Sequence, residues 1–258
     1  MSYVQALKSA IRSPSILCTK KHVFLLSHMR ANTSLVGHVL GSHPQINGYY
    51  EMHIGYYSER SLLRQKMLYC QHHSLKKHSN YMFDKLLHNE HHISDIILEH
   101  PNTLLIMGIR APEYTIPSIV SLYKKAHPEH EFTQPQKAAA YYCQRLNLLA
   151  KIALMGTVTY LYFDADAVKV TPSSTLNTFS KFLELQTPLS PQYEKMRNTG
   201  KAKAGDSSSS LMKGEIIQSQ LTSTNLPYQR SEFFKECEKT YQNVRSILIA
   251  NAKESVIL

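Results

Sequence analysis

Apolar residues gather along this chain in two ways: as short unbroken runs, and as longer stretches where they recur every three or four positions. A continuous run of strand length stands at residues 23–26 (Val-Phe-Leu-Leu), and further buried strands are predicted at 104–109 (Leu-Leu-Ile-Met-Gly-Ile) and 157–163 (Thr-Val-Thr-Tyr-Leu-Tyr-Phe). Residues 80–86 alternate well enough to add a fourth strand, with Lys85 near its C-terminal end. Helical recurrence begins at Thr33 with Leu35, Val36, Val39 and Leu40. It stops at His43-Pro44, because proline disfavours the helical region for the residue before it. The same spacing predicts helices over 58–73, 91–100, 115–125, 134–155, 172–183 and 231–250, with Pro117 tolerable in a first turn. Strands alternating with helices predict one α/β domain over 1–258, a central parallel sheet flanked by helices, with ligands at the C-terminal strand ends. A polar lead-in over 1–20, broken at Ser13-Pro14, precedes the first strand. Residues 186–214, rich in Pro, Ser and Gly, form a long loop of the kind that is functional or disordered.

At 258 residues the chain can bury a full core. Its 29 Lys and Arg against 19 Asp and Glu give a net charge of +10, with 14 histidines in reserve below neutrality. Such a surface suits an anionic ligand, nucleic acid or an acidic membrane face, and does not choose among them. The four cysteines (Cys18, Cys70, Cys143, Cys237) lie far apart with no CxxC pair, which reads as free thiols in a reducing compartment. The N-terminal stretch lacks the apolar core of a signal peptide and no apolar run approaches a membrane span, so a cytoplasmic location is expected.

Candidate chemistry concentrates between the first strand and Glu51. A buried strand feeding a hydroxyl-bearing turn and then a helix collects backbone N–H groups and the positive end of a helix dipole in one place. The turn reads Arg30-Ala31-Asn32-Thr33-Ser34-Leu35. It has no Walker A loop, since no lysine precedes Thr33 or Ser34 and Asn32 stands where a glycine is expected. Either this is an anion site, or it is an ordinary strand–helix connection with Thr33 or Ser34 as the helix cap. Asn tolerates left-handed backbone better than most residues, which permits the substitution at position 32. After the 104–109 strand comes Arg110-Ala-Pro112, with Ser118 eight residues beyond the arginine. A guanidinium grips a phosphate with two parallel bonds and a helix hydroxyl fixes its orientation. Late in the chain, residues 197–206 form a basic, glycine-containing loop with Gly200, Lys201 and Lys203.

These three segments, in this order, resemble the PAPS-dependent sulfotransferases, over residues 20–220. The carbohydrate, tyrosyl-protein and bacterial branch is the nearer one, since the Pro-Lys-Ser-Gly core of the cytosolic steroid and phenol enzymes is replaced by Met29-Arg30-Ala31-Asn32. The resemblance implies a P-loop-NTPase-like sulfotransferase architecture. It implies PAPS (3′-phosphoadenosine-5′-phosphosulfate) as donor, a hydroxyl-bearing acceptor, and no metal or nucleic-acid partner. Residues 30–35 would hold the 5′-phosphosulfate, Arg110 and Ser118 the 3′-phosphate, and the loop around Gly200, Lys201 and Lys203 would close over the nucleotide. Glu51, which follows His43-Pro44 as an acid does in that branch, is the expected general base. His53 is the runner-up, and Lys85 would stabilise the bridging oxygen.

Alternatives stand beside these assignments. Glu51 and Lys85 could be solvated charges. Tyr49, Tyr50, Tyr56 and Tyr57 either line an acceptor pocket or pack half-buried. His88 and His92 could share a helix face, but no HExxH pattern or acidic partner accompanies them, and no metal is expected. Lys76-Lys77 and Lys124-Lys125 read as solvated faces. The rival functions are a P-loop-like nucleotide kinase, against which the missing Walker lysine argues, and a non-catalytic protein that binds nucleotide or nucleic acid.

Overall fold

In the computed structural model, which describes residues 14–196, 199, 209–222 and 226–258, the chain is built around β1 (Lys21–Leu26). Val23, Phe24, Leu25 and Leu26 are all but inaccessible. Because side chains alternate along a strand, Phe24 and Leu26 enter one core while Val23 and Leu25 enter another on the opposite face. A strand wanted by two cores belongs in the middle of a sheet. The six-stranded order is β2-β3-β1-β4-β5-β6, and every pairing is parallel.

The other strands are β2 (Ile46–Asn47), β3 (Tyr81–Leu86), β4 (Thr103–Ile109), β5 (Tyr160–Asp164) and β6 (Glu254–Val256). Apolar residues of α1 (Thr33–Ser42) and α7 (Pro172–Phe182) join Val23, Leu25, Ile106, Leu161 and Phe163 on one face. On the other, α4 (Pro112–Ala126), α5 (Pro135–Ala153) and α8 (Glu232–Asn251) cover Phe24, Leu26, Leu105, Met107 and Tyr162. The 12-residue α2 (Glu59–Cys70) and the four-residue α3 (Asp95–Leu98) and α6 (Ala167–Val170) lie in the remaining connections. The expected single α/β domain with a flanked parallel sheet is thus the architecture found.

The departures from expectation have local causes. The edge strands β2 and β6 are two and three residues long, too short to carry a readable period. β3 is buried at all six positions, including Asp84 and Lys85, so its alternation does not mark a solvent face. The predicted 91–100 helix shrinks to Asp95–Leu98, which leaves His88 and His92 off any shared helix. α4 starts at Pro112, so Pro117 lies inside the helix and removes the N–H that the Glu113 carbonyl would accept. Lys76 is no solvated charge: its Nζ donates to the carbonyls of Gly41 (2.5 Å) and His43 (2.9 Å) at the C-terminal end of α1, where a cation meets the negative end of the helix dipole. Packing of α5 against α8 brings the Sγ atoms of Cys143 and Cys237 to 3.2 Å, although 94 positions separate them. Part of the 186–214 segment folds onto α1, with the Glu194 N–H on Ser42 Oγ and Thr199 Oγ1 2.8 Å from His38 Nε2.

Candidate active site

The turn after β1 is tied down atom by atom. Arg30 and Asn32 both take left-handed backbone (φ 65° and 55°), and Asn32 caps α1 from outside the helix. Neither Thr33 nor Ser34 is the cap. Asn32 instead spends its side-chain amide across the sheet, donating to the Ala165 carbonyl (3.0 Å) and to Asp166 Oδ1 (2.9 Å) after β5. The first turn of α1 opens beside this loop, and an α-helix has no internal acceptors for its leading N–H groups.

Two sequence segments meet here. Arg30 Nε donates to Ser118 Oγ at 2.9 Å, joining the β1–α1 turn to α4. Arg110, just past β4, sends Nη1 to the Arg30 carbonyl (3.4 Å) and holds Asp166 through Nε at 2.9 Å, while its guanidinium lies over the Tyr114 ring at 5.2 Å. Lys85, at the end of β3, is 3% exposed, and its Nζ reaches Ser34 Oγ at 3.4 Å. Arg30, Asn32, Ser34, Lys85, Arg110 and Ser118 therefore sit along one sheet edge in a linked set. Beside Arg110 a cavity of about 320 Å³ is bounded by Tyr114, Asp166, Tyr241 and Arg245. Gly200, Lys201 and Lys203 lie outside the described residues.

Three buried groups that support this edge carry no motif signal. His28 accepts the Arg110 N–H at Nε2 (3.0 Å), which fixes its proton on Nδ1, facing the Met29 carbonyl at 2.8 Å. Burial pushes its pKa down to about 3, so the ring is a neutral strut between β1 and β4. Arg145, on α5 and 2% exposed, donates to the carbonyls of Ser27 (2.7 Å) and Leu86 and to Asn89 Oδ1 (3.1 Å). Desolvation lowers even this guanidinium to about 10. Asp166 neutralises Arg110 at close range. A histidine next to a strand end or an arginine mid-helix looks the same in sequence whether it is exposed or buried, so nothing marked these residues in advance.

The segment carrying Glu51 is hung on β3 by Asp84. That carboxylate accepts the N–H groups of Met52 (3.0 Å) and Lys85 (2.8 Å) and the Tyr56 hydroxyl (2.6 Å). Complete burial outweighs these bonds and raises its pKa to about 7. Glu51 Oε1 is itself buried and makes no hydrogen bond, while its side chain remains 12% exposed. Its charge is felt at His88, Tyr141 and Arg145; Tyr141 accepts the Met29 N–H of the β1 turn (2.9 Å) and so links the two regions. His53 is more open, with a 58% exposed side chain and Nδ1 3.8 Å from Glu51 Oε1. Of the neighbouring tyrosines, Tyr49 and Tyr56 are core residues and Tyr57 is 59% exposed.

No family model matches the sequence, and no curated protein matches it. Solved structures do match. The sulfotransferase domain from the curacin biosynthetic pathway superposes with a TM-score of 0.59 at 14% identity, covering 87% of this chain and 98% of that one. The sulfotransferase domain from the Synechococcus PCC 7002 olefin synthase gives 0.58 at 15% identity, covering 87% and 95%. At such identities the likeness is one of fold: the chain has the flanked parallel-sheet architecture of these sulfotransferase domains.

Proposed function

We propose that the chain is a sulfotransferase that moves a sulfuryl group from PAPS to an acceptor hydroxyl. The observation that carries this reading is the Arg30–Ser118–Arg110 junction: an anion-type turn and a guanidinium–hydroxyl pair, distant in sequence, share one sheet edge. Both neighbours named above are sulfotransferase domains, which favours sulfuryl over phosphoryl transfer on this fold.

In this reading the turn from Arg30 to Leu35, with Ala31, Asn32, Thr33 and Ser34, wraps the 5′-phosphosulfate. Arg110 and Ser118 take the 3′-phosphate. Asp166 already offsets the Arg110 charge, so the net positive field at the sulfonate comes from Arg30, Lys85 and the start of α1. The acceptor oxygen attacks sulfur in line as the bond to the 5′-phosphate oxygen breaks, and 3′,5′-ADP leaves. Charge is spread over the transferred group, so alignment and fixed cations do most of the work. Glu51 takes the acceptor proton: its buried oxygen has a lone pair with no hydrogen-bond partner, whereas His53 is largely solvated. Lys85 stabilises the bridging oxygen as it gains charge.

The test is thermal unfolding with 3′,5′-ADP, AMP and ATP, on wild type and Arg110→Ala. Ligand at a hundredfold above Kd stabilises by about 2.7 kcal/mol. Stabilisation by 3′,5′-ADP, absent with AMP and lost in Arg110→Ala, is the expected result. Stabilisation by ATP alone would replace this reading with a kinase, and no stabilisation by any of the three would remove it.

A further inference from the structure

Glu51 has neighbours that proton transfer does not use. Residues 53–57 and 91–94 are held side by side by a parallel bridge between Tyr56 and Ile93, with the Tyr56 N–H on the His92 carbonyl and the Ser94 N–H on the Tyr56 carbonyl, each at 2.8 Å. With the two segments held alongside, the rings of His53 and His91 come together, their centroids 5.3 Å apart. Their facing nitrogens, His53 Nδ1 and His91 Nε2, are 3.2 Å apart, and Glu51 Oε1 lies 3.8 Å from the same His53 atom. One ligating atom from each of the three residues falls within 4.8 Å of the other two.

We propose that Glu51, His53 and His91 form a binding site for a divalent transition-metal ion, zinc being the best match. Two imidazoles and one carboxylate are a zinc donor set that leaves a fourth position open. A tetrahedral ion with ligands at about 2.0–2.1 Å needs ligand atoms about 3.3 Å apart, close to the 3.2 Å between the two imidazole nitrogens. The Glu51 carboxylate, 3.8 Å from His53 Nδ1 and within 4.8 Å of His91, completes the triangle by a small inward shift. Glu51 Oε1 is already removed from water and makes no hydrogen bond, a costly state for a carboxylate oxygen unless a cation or donor arrives. His53 holds φ at 54°, an uncommon conformation for a non-glycine residue, and this backbone carries its ring to the cluster. Its exposed ring gives the ion a way in from solvent.

The site has a functional consequence that rests on the sulfotransferase reading. The ion occupies the oxygen assigned to the acceptor proton, so bound metal inhibits transfer and chelation restores it.

The binding claim is tested without any assay of transfer. Full-length protein, stripped with chelator and kept reduced, is titrated with Co²⁺ and followed by visible absorption. The expected result is the intense spectrum of four-coordinate cobalt, saturating near one equivalent and displaced by Zn²⁺. Binding should weaken at least about tenfold in His91→Ala and in Glu51→Gln, since even an outer hydrogen bond to a ligand is worth that much. A Cys143→Ser variant should keep the full spectrum. A weak octahedral spectrum would overturn the site, as would affinity unchanged in both ligand variants. So would a thiolate-to-cobalt band that disappears in Cys143→Ser. These outcomes leave the nucleotide-binding test untouched, so the metal site and the sulfotransferase reading fail separately.

Discussion

The two ends of the candidate site are finished to different degrees. Along β1, β4 and β5 the polar side chains are bonded to one another: Arg30 to Ser118, Asn32 and Arg110 to Asp166, His28 to Arg110. Around residues 51–57 and 88–92 the support is equally firm, through Asp84 and the Tyr56–Ile93 bridge, but the terminal groups are left unsatisfied or exposed. A region that binds a fixed, highly charged group gains from rigid, prearranged donors. A carboxylate that must pick up a proton or an ion needs a vacant lone pair. In the proposed function the first region is a preset anion cradle and the second an open carboxylate.

The sharpest way to break that contrast is Glu51→Gln. Transfer from PAPS should fall about 10²–10⁴-fold, with 3′,5′-ADP affinity unchanged in titration calorimetry. Equal losses in both would show that the two ends are one unit. Acidification probes the buried struts. Burial holds His28 at about 3 and His22 at about 4, below the value near 6.5 of an unfolded histidine. The unfolded state therefore binds more protons, and the stability from each ring, complete above pH 6.5, is lost as pH falls toward 4. Each contributes a slope of about 1.4 kcal/mol per pH unit. Asp84, raised to about 7 against 3.8, acts oppositely over the same range, losing stability as pH rises. Urea unfolding from pH 7 to 4.5 should show falling stability, and Asp84→Asn should steepen the fall by about one proton's worth.

A smaller effect tests how the two ends are joined. A Cβ on Gly37 of α1 would stand 2.3 Å from the Tyr49 carbonyl oxygen, so α1 can approach the segment leading to Glu51 only because Gly37 has no side chain. Gly37→Ala should cost about 1–3 kcal/mol in urea unfolding, despite alanine's better helix propensity. Smallest is Asp166→Asn, which removes a negative charge beside Arg110 while leaving nearly the same shape. If positioning outweighs simple attraction, 3′,5′-ADP should bind about tenfold more weakly. Tighter binding would assign Asp166 a purely Coulombic role.

Much of the fold was legible because its signals are local. β1, β4 and β5 are dense apolar runs, α1 is stopped by His43-Pro44, and α5 and α8 keep a helical period for about five turns. The turn at 30–35 and the Arg110–Ser118 spacing stood out as candidate chemistry, and the structure links Arg30 to both Ser118 and Arg110. Other features depend on partners far along the chain. Lys76 reads as a surface charge until the end of α1 arrives beside it. Cys143 and Cys237 read as isolated thiols, and His53 and His91 belong to no motif because 38 residues separate them.

The sequence alone established that this is an α/β chain with a central buried strand, a left-handed-tolerant polar turn after it and a guanidinium–hydroxyl pair after a later strand. Each of these follows from the side chains of a few consecutive residues. Which charges are buried and which arginine is neutralised depended on parallel pairing across β3-β1-β4-β5, and which histidines face one another on the bridge between Tyr56 and Ile93. Parallel neighbours are joined by long crossovers, so residues dozens of positions apart become first neighbours at one sheet edge. Burial and electrostatics follow those distances in space, and spacing along the chain carries no record of them.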